Sequence, residues 1–104
     1  MTRQHTEEEV RDLFLNHVRD MVDYWKNQQK QGYPISECID GLAFSILVAI
    51  DGGTALPGFI LAPLPHKDDK KLCIEEGENY YPQNHKSKVN CDIGGNLHEH
   101  FFKR

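Results

Sequence analysis

Six histidines and three cysteines in 104 residues raise metal and thiol chemistry first. His66, His85, His98 and His100, with Cys73 and Cys91, crowd the C-terminal part of the chain. Zinc takes tetrahedral sets of thiolate and imidazole. Alternate side chains of a strand share a face, so His98 and His100 form a ligand pair if that stretch is extended; on a helix they stand about 200° apart and miss a common ion. The helical zinc-protease motif puts its second histidine four residues after the first, and Phe102 holds that place. A metal-binding protein or metal-dependent hydrolase using His98, His100 and His66 is therefore the alternative reading.

Other catalytic constellations are weaker. A nucleophilic thiol needs a histidine base and an orienting third group. Cys73 or Cys91 with His66, His85 or His98 offers the residue types, but chance alone supplies such pairs in a chain so rich in both. Ser36, Ser45 and Ser87 lack a G-x-S-x-G elbow. Asp51-Gly52-Gly53-Thr54 and Gly94-Gly95-Asn96 have neither the spaced glycines nor the Lys-Ser/Thr pair of phosphate-binding loops. Asp68-Asp69 and Glu75-Glu76 read as a solvated stretch. Asp51, between an apolar run and two glycines, either caps the following turn or stands at the mouth of a cleft. No catalytic residue and no cofactor is assigned. Tyr80, Tyr81 and Pro82, with Trp25, Phe101 and Phe102, place aromatic side chains in short segments. Such rings either close the core or anchor a partner. Binding is assigned to Tyr80, Tyr81, Asp51 and His66.

The elements that position these groups follow from periodicity. Thr6 and Glu9 make a capping box, and Glu7, Glu8 and Glu9 complement the helix dipole. Val10, Leu13, Phe14, His17, Val18, Met21, Val22 and Trp25 then form one apolar stripe, stopped at Gly32 and Pro34. A histidine on that stripe is expected to be packed, with one nitrogen bonded to a carbonyl or placed at the stripe's edge. A second helix is expected over Glu37–Ile50, capped by Ser36. Its second half is apolar nearly all round, hence buried on more than one side. Gly41, Ala43, Ser45 and Ala49 offer a close approach to another helix. Phe59–Ala62 reads as a short strand bounded by prolines, and Lys88–Ile93 as its weak partner. Residues 66–76 suggest a short exposed helix, and Leu97, Phe101 and Phe102 suggest a helical tail latched onto the body.

These elements predict an α+β fold: two N-terminal helices on a small antiparallel sheet, with a short C-terminal helical tail. One domain is expected over 1–104, helical at about 6–51 and strand or loop at about 56–104.

The stretches DGLAFSILVAIDGG, LPGFILAP, GENYYP and IGGNLHEHF resemble a family of small uncharacterised bacterial and phage proteins. The resemblance spans residues 11 to 102. It implies a small cytosolic protein, carried on phage or prophage DNA, and brings no activity or site residue.

Composition narrows the function classes. The net charge is −4, and residues 36–65 contain Glu37, Asp40 and Asp51 with no lysine or arginine. Lys67, Lys70 and Lys71 are interrupted by Asp68 and Asp69, so no basic face emerges and nucleic acid is not an expected partner. The apolar run Leu42–Ile50 is far short of the roughly 20 residues that span a bilayer, and the polar, acidic N-terminus is no signal peptide. Three cysteines without a CxxC pair fit reduced thiols in the cytoplasm. The leading expectation is a non-catalytic binding or protein-interaction module, self-associating as a homodimer or acting as a phage-type inhibitor of a host protein.

Overall fold

Thr6 opens the first helix as the sequence requires. In the computed structural model, which describes residues 2–84 and 88–103, the Thr6 hydroxyl accepts the Glu9 N–H, and Glu9 accepts the Thr6 N–H in return. Helix α1 runs Glu7–Lys30 and α2 runs Ile35–Ile50. Gly32, at φ 107°, turns the chain between them, a conformation that costs a Cβ-bearing residue. The two helices pack antiparallel: Trp25 meets α2 near the connection, while Phe14 lies beside Ile50 and Phe59 at the far end.

Trp25 sets their spacing. Its indole N–H donates to the Ser45 hydroxyl at 3.0 Å, and that hydroxyl donates to the Gly41 carbonyl at 2.8 Å. A Cβ at position 41 would fall 2.4 Å from the indole ring. The small residues of α2 therefore admit a side chain of the same molecule. Cys38 and Ala49 on α2 are the only buried apolar residues among those described.

Ser36 is not the cap of α2. Pro34 occupies that position, with no side-chain hydrogen bond, and the helix starts at Ile35. Helix α3 is Asp69–Glu75, ended by Gly77 in the left-handed region, and α4 is Leu97–His100. His85 and Ser87 lie outside the described residues.

The expected sheet does not form. No strand occurs among the described residues, so the α+β assignment is corrected to a helical fold. Phe59–Ala62 and the segment around Ile93 do run side by side, but one backbone bond joins them, from the Ile93 N–H to the Leu61 carbonyl at 2.8 Å. The Leu61 N–H, which a ladder needs, donates instead to the Asp92 side chain at 2.9 Å. Pro57, Pro63 and Pro65 remove further donors around the same run. Cys91 sits at φ 61°, which breaks extended geometry on the other side.

The result is a thin layer with extents of 53 × 47 × 19 Å. Beside the hairpin itself, α4 is the one helix among the described residues that packs on it, against α2. No helix among the described residues is long and apolar enough to cross a membrane.

Candidate functional site

Where α2 ends, Asp51 turns its carboxylate inward to a side-chain exposure of 1%. Gly52, at φ 88°, and the bond from the Gly53 N–H to the Val48 carbonyl finish the helix and fix that direction. Oδ1 accepts the Gly95 N–H and Oδ2 the His98 N–H, both at 2.8 Å. The His98 ring closes the set, with Nδ1 at 2.5 Å from Oδ2. Gly95, at φ 114°, supplies the backbone bend that delivers its N–H. Burial on its own would raise the Asp51 pKa. The hydrogen bonds from His98, backbone and ring, and from the Leu97 and Gly95 amides outweigh it, holding the carboxyl well below the usual carboxylate range.

Asp51 thus caps a turn, but a distant one. It accepts the free amides at the start of α4, as a local N-cap residue does for its own helix. Aromatic contacts seat the same tail. His98 meets the edge of Phe44 with centroids 5.7 Å apart, and Phe102 stacks on Phe44 at 5.6 Å.

A carboxylate bound to Nδ1 of an imidazole also orients the base of acyl-transfer triads, leaving Nε2 to accept a proton. Half of such a machine is present here. The other half requires a hydroxyl or thiol on Nε2, and no hydrogen bond joins His98 Nε2 to another side chain among the described residues. Asp51 and His98 make a latch.

The remaining candidates scatter. His66 is exposed, and its Nδ1 accepts the Asp68 N–H at 3.3 Å within one local turn. His100 is exposed on α4, turned away from the His98–Asp51 pair. Among the described residues no three His, Cys, Asp or Glu side chains converge on a point that would hold a metal ion. Tyr80 lies under the Lys70 ammonium at 5.0 Å, and Tyr81 is 68% exposed. Of the assigned residues, the structure brings only His98 to Asp51. Cys38, Cys73 and Cys91 are all free thiols. His17 is half-buried on its stripe, and its shielded Nε2 has no partner among the described residues, so of the two expected placements the carbonyl bond at that nitrogen is not the one seen.

Two apolar grooves were not foreseen. One, of about 700 Å³, is walled by Val10, Phe14, Ile50, Phe59 and Leu61. Another, of about 170 Å³, runs between α1 and α2 past Val22, Trp25, Ile35, Ile39 and Leu42. The signal for the smaller groove is α2 itself, apolar nearly all round, whereas the larger one takes only Ile50 from that helix.

Set against protein-family models, curated proteins and solved structures, the chain matches none of them.

Proposed function

We propose that this chain is a small, non-catalytic protein-interaction module whose hydrophobic core is completed by a protein partner. The carrying observation is the mismatch between its size and its shape. A compact chain of this length has a radius of gyration of about 13 Å, whereas this one has 17.7 Å. Its accessible surface is 8548 Å², against about 6,000 Å² for a self-sufficient monomer of its mass.

Stable domains are built from two packed layers around a core. Here one layer is present. Large apolar side chains such as Ile35, Ile39, Leu64 and Phe102 remain open to solvent, an arrangement that marks partner surfaces. The Asp51–His98 pair supports a positional role, since it ties down the tail. The three free thiols suit a reducing compartment, so the module is assigned to the cytoplasm.

Thermal unfolding followed at decreasing protein concentration tests the reading. The expected outcome is loss of the cooperative transition, with binding of an apolar dye, once the chain is diluted below its association range. A dilute monomer that melts sharply and binds no dye contradicts it.

A further inference from the structure

We infer that the missing layer is a second copy of this chain, laid face to face on the α1–α2 hairpin to make a four-helix bundle. The inference rests on the reading above and names its partner.

The hairpin has two broad faces, and the tail covers only one. Phe44 marks the covered flank of α2, under His98 and Phe102. Ile39 stands well round the helix from Phe44, because five residues at about 100° each carry it some 140° away. It is 63% exposed, and Ile35, one turn before it, is 60% exposed. Leu42 and Ile46 continue the same stripe at helical steps, and both are only half-buried. Across the groove, α1 presents Val22, with Val18 and Leu15 at steps of four and three before it. The open face is therefore apolar on both helices, and Lys26 is the one charged side chain lining the groove.

The area fits a second copy. The excess surface is about 2,500 Å² per chain, and obligate homodimers bury roughly 2,000–5,000 Å² in total. In a four-helix bundle two such hairpins pack with antiparallel helices closing a shared core. A two-fold axis along the helices lays α1 of each copy on α2 of the other, a self-complementary contact. Glu37 and Asp40 line the opposite flank of α2, beside Phe44 and Phe102, so the apolar stripes alone meet in this pairing.

Light scattering of the purified full chain, with Ile39→Glu and Ile74→Glu compared, decides the matter. The expected mass is twice 12.0 kDa. Ile39→Glu is expected to lower dimer affinity at least a hundredfold, and Ile74→Glu, on exposed α3, to leave it within threefold. Amide exchange gives a second readout that does not need a folded variant: α2 is expected to be protected at high concentration and to exchange faster on dilution, while α3 is unchanged. A monomer that unfolds poorly and binds apolar dye overturns the second copy but leaves the requirement for another protein partner standing. A cooperatively folded monomer overturns both. A dimer that Ile39→Glu leaves intact, whatever Ile74→Glu does, places the contact elsewhere and overturns this face.

Discussion

The carboxylate of Asp51, at the end of α2, accepts both the backbone and the ring N–H of His98, 47 positions later in the chain. That single relationship joins the helical hairpin to its tail and gives the otherwise exposed α4 a fixed place. A four-residue helix cannot hold itself together in water, because nucleation is unfavourable and few bonds follow it. Its stability must come from the acceptors and rings it docks against.

Replacing Asp51 should therefore release the tail before it unfolds the protein. Asp51→Ala removes a buried, ionised acceptor and leaves several amides unmet, a loss of about 1.5–3 kcal/mol for a charged hydrogen bond. The amides of residues 95–101 are expected to exchange much faster, while those in the middle of α1 keep their protection. Mass-spectrometric hydrogen exchange reads this directly. Equal slowing or quickening across the whole chain contradicts the latch.

Acid should do the same by titration. The folded-state pKa of Asp51 lies below its unfolded value of about 4. A depressed carboxyl contributes stability that is complete above the unfolded value and is lost as pH falls through the folded one. The tail is expected to stay docked from pH 7 to about 4 and to loosen below that. Glu9, lowered to about 2 first by its bond to Arg3 and then by the Thr6 amide, is half-buried at the start of α1 and titrates over the same acid limb. Its loss frays the start of α1. Following the His98 and Phe102 ring resonances from pH 7 to pH 2 separates the two, and release of the tail already at pH 5 to 6 contradicts the assignment.

How much of this is legible in the sequence depends on distance along the chain. The start of α1 is, because a capping box is a four-residue code with its partners in register. The stops at Gly32 and Gly77 are, because only a residue without a Cβ turns there cheaply. The sheet is a misreading. Phe59–Ala62 has strand composition, but a strand needs a neighbour with free carbonyls, and Asp92 offers a side chain in place of one. The aromatic tail reads as a latch from Leu97, Phe101 and Phe102, but the bond that fastens it is invisible for the same reason: Asp51 and His98 have no spacing that codes for contact. Their types are ordinary, and only the fold brings them together. The all-round apolar character of α2 is legible, yet its meaning depends on what lies outside the single chain.

The α1–α2 seam should be sensitive at Gly41. Gly41→Ala places a methyl within 2.4 Å of the indole, and the ring cannot retreat without breaking its bond to Ser45. Overpacking costs about 1–3 kcal/mol, partly offset by the roughly 1 kcal/mol that alanine gains over glycine in a helix. A net loss of about 1 kcal/mol is expected, with a red shift of the emission of Trp25, the chain's one tryptophan. Ser45→Ala deletes the hydrogen bond without adding volume and should cost about 1 kcal/mol with a smaller spectral change. If Gly41→Ala is stabilising by the full helix-propensity gain, Trp25 does not pack there.

The three histidines first grouped as metal ligands should now separate by role. His98 is half-buried against Asp51 and Phe44, so His98→Ala takes the ring bond from a buried carboxylate and the edge contact from Phe44. It should cost about 1–3 kcal/mol and free the tail. His66 and His100 are exposed, and substitutions at such positions usually fall within about 0.5 kcal/mol of neutral. Zinc binding would impose the opposite pattern, because ligands of one ion share its folding free energy and fail together. Melting temperatures of the three alanine variants, each with and without added zinc, distinguish the cases. The latch predicts one sensitive histidine, two indifferent ones and no metal-dependent shift in any of them. Equal losses at all three positions, with a zinc-induced rise in the unsubstituted chain, would restore the ligand set.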